Sequence, residues 1–263
     1  MTDETLLNCF LRPLEVCADY KPAFGTSGDE GLSLSDFHEL YSKDEFYSWI
    51  GLDSDLVYSA HKASGGMTSI YRQIGFGSEH LLREIFKDKL SLNDEQVSWE
   101  YKYVSNGKNA VHTLDAKISL NDITNAERKE IIRKWLKQAQ VRTGGSSSLA
   151  TLTGAIFEIR QGYKSADSKR QNADLRFGAK SYQMSHLPVM MVLSSQVSET
   201  VIQRYRNAGM LVITGTRSKD ATISTFSFVK DVVGYDLEDF FKRNTNTIKT
   251  VIQGLIQRLL TAN

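Results

Sequence analysis

Proline is scarce, with three in 263 residues. No low-complexity run divides the chain, so no stiff or disordered linker is expected. Cysteine is scarcer still. Cys9 and Cys17 lie eight apart in one helical pattern, with no second Cys or His pair at ligand spacing. That argues against a disulfide framework and against zinc, and reads as reduced core thiols. The five histidines (His38, His61, His80, His112 and His186) are scattered and read as structural. No apolar run approaches the roughly 18–20 residues that span a bilayer. The opening MTDETLLNCF is acidic and has no cleavable signal pattern, so a cytoplasmic protein with no membrane partner is expected. Net charge is +1; a global basic excess is missing, but a local basic groove is still allowed. Dinucleotide, phosphate-loop and serine-hydrolase signatures are also missing from the sequence.

What the chain does have is the composition of an ordinary globular protein, 41% hydrophobic and 24% charged, long enough for a sizeable core. Residues 1–92 read as helical and packed on the rest. One face is Leu6, Leu7, Phe10 and Leu11, and another is Phe37, Leu40, Tyr41, Phe46 and Trp49. GGMTSIYRQIGFGSE reads as a glycine-bounded, phosphate-holding loop, with Ser78 capping a helix SEHLLREIFKDKL. Alternation about Asn106-Gly107 predicts a hairpin, its second strand running to Ile118. An amphipathic helix over 125–140 follows, then the loop RTGGSSSLATLTG. Further on come a strand Ala155–Arg160, a polar helix near Ser168–Tyr182 and a buried strand LPVMMVLSS. The rest reads as a helix SETVIQRYRNAG, strands MLVITG and TISTFSFV, and a last amphipathic helix. The expected class is therefore α/β, a mixed central sheet flanked by helices with a largely helical N-terminal part. Residues 93–263 form the core, continuous with 1–92.

Chemistry concentrates in AIFEIRQGYKSADSKRQNADL, residues 155–175. Glu158 and Arg160 are two apart in a strand and share a face. Burying them calls for pairing or a metal. Carboxylates around a divalent cation, with a nearby cation such as Lys164, suit phosphodiester hydrolysis. A purely structural Glu158–Arg160 salt bridge is the competing reading. Asp115 in HTLDAKISL is the candidate second acid, because aspartate is disfavoured within a strand. Glu100 with Asp115 and Lys117 is the rival set. Lys169, Arg170, Gln171 and Asn172 open a helix, where Arg reads guanine and Gln or Asn reads adenine. Gln161 precedes them at the strand exit, and Arg72 and Gln73 form a second candidate contact set.

FEIRQGYKSADSKRQNADL, LPVMMVLSSQ, GGMTSIYRQIG and LDAKI together resemble type II restriction endonucleases of the PD-(D/E)xK nuclease superfamily, over roughly residues 60–240. The resemblance implies a restriction-endonuclease-like core. It also implies Mg²⁺-dependent cleavage of double-stranded DNA at a short palindrome by a homodimer, as in restriction-modification. Glu158 matches the glutamate of the E-x-K element, and position 160 is Arg where the pattern has Lys. Lys164 or Lys169 from a displaced position, or Arg160 or Gln161 in its place, could supply the cationic or polar group. The pattern's upstream aspartate is not in SSSLATLTG, which leaves Asp115 to supply it from farther back. Glu79 resembles an accessory helix glutamate of some of these nucleases. The alternative is a sequence-specific DNA-binding protein without hydrolytic activity.

Overall fold

A computed structural model describes residues 1–25, 30–105, 108–144, 152–162 and 168–261. The helices are α1 (Asp3–Leu11), α2 (Leu34–Tyr41), α3 (Glu45–Trp49), α4 (Asp55–Leu90), α5 (Asp94–Val97), α6 (Ala126–Arg142), α7 (Ser168–Gln183), α8 (Glu199–Asn207), α9 (Thr225–Ser227), α10 (Leu237–Arg243) and α11 (Thr245–Leu259). The strands are β1 (Trp99–Ser105), β2 (Lys108–Leu114), β3 (Ala116–Ser119), β4 (Gly154–Arg160), β5 (His186–Val192) and β6 (Leu211–Ile213). Among the described residues, no helix is long and apolar enough to cross a membrane. The chain divides into two compact units, one of Met1–Leu6 with Ser78–Phe241 and one of Leu7–Gly77 with Lys242–Asn263. α4 spans residues 77 and 78, where the units divide, and α11 falls in the second unit.

The first unit holds the sheet, in the order β3-β4-β5-β6. β3 runs antiparallel to β4, and β4, β5 and β6 are mutually parallel. Both faces are buried, so the strands are almost continuously apolar, as parallel strands require. Alternate residues of β4 serve opposite layers. Ile156 joins Met190, Val192 and Val212 under Phe177 of α7, and Val201, Ile202 and Tyr205 of α8. Phe157 faces Phe86, Trp135 and Phe228 on the other side. α6 begins where Asn125 accepts the Arg128 amide hydrogen at 2.9 Å, satisfying one of the orphan donors of the first turn.

The β1–β2 hairpin forms as the alternation predicts, although the Asn106-Gly107 turn lies outside the described residues. Its second strand does not continue to Ile118. It breaks at Asp115, and β3 leaves to pair with β4. TISTFSFV also differs from expectation. Ser224 caps a helix by accepting from Ser227, and α9 continues as a π-helical turn, Phe228–Val233. Phe228, Val229, Val232 and Val233 are buried, a helical spacing that outweighed the β-branched composition. Gly234 ends that turn at φ 99°, a left-handed conformation costly for other residues.

In the second unit, Leu14, Cys17, Ile70, Leu255 and Leu259 form a core with Ile252 and Ile256 against it. Neither cysteine forms a disulfide; Cys17 is buried and Cys9 half-buried. GGMTSIYRQIGFGSE is not a loop. It lies wholly inside α4, and Ser78 is a buried mid-helix residue rather than a cap. Its glycines serve close packing: a Cβ at Gly66 would collide with Leu259, and one at Gly77 with the Phe10 carbonyl. The expected apolar face at 37–49 is only partly buried. Phe37 is enclosed, whereas Leu40, Phe46 and Trp49 are 42%, 58% and 75% exposed.

Candidate functional site

Asp115 occupies the bend between β2 and β3, and its position follows from the ladder. Ala116 pairs with Phe157 at the end of the antiparallel register, so the next residues outward are Asp115 and Glu158. The Asp115 carboxylate accepts the Ile159 amide hydrogen at 2.6 Å. Its carbonyl accepts a two-pronged bond from Arg83, Nε at 2.9 Å and Nη2 at 2.8 Å. Burial first, then the negative charge of Glu79, push the Asp115 carboxyl from 3.8 up to about 7. The Ile159 amide, Arg160 and Arg83 pull the other way. Glu79 and Arg83 are four apart on α4, hence on one helix face; one acts on the carboxyl and the other grips the carbonyl of the same aspartate.

Glu158 lies on the opposite face of β4 from Phe157 and is 5% exposed. Its Oε1 is 2.5 Å from Arg160 Nη2. The same nitrogen is 3.1 Å from Oδ1 of Asp174, on α7. The Tyr205 hydroxyl donates to Asp174 Oδ2 at 2.6 Å. The Glu158–Arg160 ion pair expected of a structural strand end is thus present, but it belongs to a larger polar chain. Above it, Tyr101 OH and His112 Nδ1 are 2.9 Å apart. Burial pushes the Tyr101 phenol up to about 12 and lowers His112, which favours the uncharged form of both partners.

The other sequence candidates divide sharply. Gln161 is half-buried at the strand exit, its carbonyl accepting from the Ser194 amide. Lys164 lies outside the described residues. Lys169, Arg170 and Gln171 fall on the first turn of α7. Asn172 is exposed, its Oδ1 accepting from Arg204 at 2.8 Å. Arg72 and Gln73 lie on α4 within the second unit, Arg72 exposed and Gln73 half-buried; the loop context first expected for them does not exist. Glu100 is exposed on the hairpin opposite Thr113, and Lys117 faces Ile156 along the ladder. Glu100 therefore lies outside the polar chain around Glu158.

Asp174 and Tyr205 were not among the sequence candidates. The available signal was an aspartate on the apolar stripe of a helix, since Asp174, Phe177 and Ser181 are all buried at i, i+3 and i+7. Tyr205 follows Val201 by four on the inward face of α8 and carries no such flag.

Among the described residues, no group of three or more His, Cys, Asp or Glu is arranged to hold a metal ion. Magnesium needs less than that. One or two carboxylates suffice when water and a substrate phosphate complete the octahedron. Asp115 and Glu158, adjacent across the ladder, provide such a pair. The Asp115 carboxyl is raised by burial first and by Glu79 second, and a hard cation at the site would favour its charged form. The residues fit a cation shared with a phosphate rather than an all-protein cage. No protein-family model, curated protein or solved structure gives a significant match to the chain.

Proposed function

We propose that this chain is a Mg²⁺-dependent, sequence-specific endonuclease for double-stranded DNA, of the type II restriction class within the PD-(D/E)xK superfamily. The observation that carries the reading is the register of β3 on β4, which ends at Ala116–Phe157 and puts Asp115 and Glu158 at the next positions outward, with Arg160 beside Glu158. The acid-x-cation element stands on a central strand, an antiparallel neighbour brings the second acid, and α7 with parallel β5 follows.

In this reading Asp115 and Glu158 hold the cation. A magnesium ion held there would supply a water of lowered pKa and would offset charge on the phosphoryl oxygens. Arg160 faces that developing charge, with Lys164 as the alternative cation. The first turns of α7, with Lys169, Arg170, Gln171 and Asn172, approach the major groove. Arg204, already bonded to Asn172, accompanies them. A phosphate contact from Gln161 sets register without reading sequence; Arg72 and Gln73 are a separate candidate contact set within the second unit. A homodimer matches a palindrome by shared two-fold symmetry.

A second reading, a sequence-specific DNA-binding protein without hydrolysis, has its own support. Glu158 is engaged by Arg160 at 2.5 Å, and a three-ligand group is missing among the described residues. Incubation with sequenced plasmids separates the two. Discrete, mappable fragments in Mg²⁺ and none in EDTA support the nuclease. Sequence-specific retardation without cutting in Mg²⁺ or Mn²⁺ supports the second reading, and neither result abandons both.

A further inference from the structure

We propose that Asp174 and Tyr205 are positioning residues that keep Arg160 in place when Glu158 turns from it to a divalent cation. The inference rests on the metal-dependent reading above and extends it to residues that neither sequence spacing nor the resemblance identifies.

The geometry is of one guanidinium between two carboxylates. Arg160 Nη2 lies 2.5 Å from Glu158 and 3.1 Å from Asp174. The surroundings are nearly dry: the side chains are 12% exposed for Arg160, 7% for Glu158 and 1% for Asp174. A buried guanidinium stripped of counter-charge is costly, far more so than one at the surface. The two carboxylates are not equivalent. Glu158 stands on β4 with Asp115 across the ladder, where a cation would draw it away. Asp174 stands in the α7–α8 layer with its second oxygen fixed by the Tyr205 hydroxyl at 2.6 Å, and Tyr205 is itself 1% exposed. Asp174 is therefore the constant partner and Glu158 the exchangeable one. With Asp174 charged, Arg160 keeps compensation after Glu158 leaves. With Asp174 neutralised, Arg160 holds Glu158 more tightly and opposes cation binding.

The test is Mn²⁺ binding to the full-length protein without DNA, read by calorimetry, with thermal melts in EDTA alongside. Asp174→Asn should weaken Mn²⁺ binding by about 10- to 100-fold, the range for partners of metal-ligating groups. Tyr205→Phe should weaken it less. Asp174→Asn combined with Arg160→Met should recover most of the affinity, because no guanidinium then competes for Glu158. A purely structural role predicts a lower melting temperature with unchanged Mn²⁺ affinity and no recovery in the double variant; either result overturns the proposal. If Asp174→Asn does not fold, unchanged affinity in Tyr205→Phe overturns it instead. Wild-type protein that binds no Mn²⁺ removes the metal reading and this inference together. Wild-type binding with unaffected variants removes this inference alone.

Discussion

The carboxylate of Asp115 accepts the amide hydrogen of Ile159 at 2.6 Å, tying the bend between β2 and β3 to β4 one residue past Glu158. Asp115 thus does two things: it caps the end of an antiparallel ladder, and it stands beside the other buried acid. A residue that only broke a strand could do so from the surface. This one is partly buried and gripped through its carbonyl by Arg83.

The Asp115 carboxyl is raised from 3.8 to about 7, by burial and then by Glu79. A carboxyl that holds its proton more tightly when folded supports the fold while protonated. Its contribution is full below the unfolded value and declines as pH rises from about 4 to about 7, then levels off. Asp115→Asn retains an oxygen for the Ile159 amide and carries no charge. In EDTA, the wild-type melting temperature should fall relative to that of Asp115→Asn over this interval, and Mg²⁺ should narrow the gap. Parallel pH profiles for the two proteins would refute the assignment.

Glu158→Gln removes the charge and keeps an acceptor facing Arg160, whose pairing with Asp174 remains. Plasmid cutting should drop to background while DNA retardation persists. Fragment yield and gel shifts on the same preparation measure both. Full cutting by a folded Glu158→Gln protein would remove this glutamate from the chemistry.

The first turns of α7 should separate phosphate from base contacts. Lys169→Ala is expected to weaken binding alike on all sequences and to reduce the salt slope by about 1. Arg170→Ala is expected to cost about 1–3 kcal/mol on the preferred site and to relax preference at one base pair. Affinities measured across a salt series on matched and mismatched duplexes check this. Unchanged affinity in both variants would take α7 out of the interface.

Two glycines of one helix should respond in opposite directions. Gly75 has nothing within 4 Å of an added Cβ, so Gly75→Ala should stabilise by about 0.5–1 kcal/mol through helix propensity. At Gly77 the same methyl meets the Phe10 backbone carbonyl. Overpacking of about 1–3 kcal/mol should outweigh the propensity gain there. Urea midpoints of the two variants give the comparison.

Much of this protein was written locally. The helix starting at 125–126, the helix starting near Ser168 and the alternation of the hairpin depend on neighbours a few residues away, and each formed, the hairpin's second strand stopping short at Leu114 and the buried strand of LPVMMVLSS at Val192. Patterns whose local meaning was ambiguous went otherwise. The glycines of GGMTSIYRQIGFGSE suit a turn as well as a close helix contact, and only Leu259 and Phe10, distant in sequence, select the contact. Ser224 and the spacing of Phe228, Val229, Val232 and Val233 made a helix of a segment whose β-branched residues suggested a strand.

The sequence by itself determined the α/β class and pointed to Glu158, with Asp115 ranked ahead of Glu100 as its companion, because periodicity and a misfit aspartate are properties of short windows. The tertiary structure decided that Asp115 would stand at the β4 end of the ladder, its carboxylate on the Ile159 amide, because β3 pairs with β4. It also decided that Arg160 would have Asp174 and Tyr205 behind it. Asp174 is 14 residues from Arg160 and Tyr205 a further 31 from Asp174, and their meeting depends on how two helices settle on one face of the sheet.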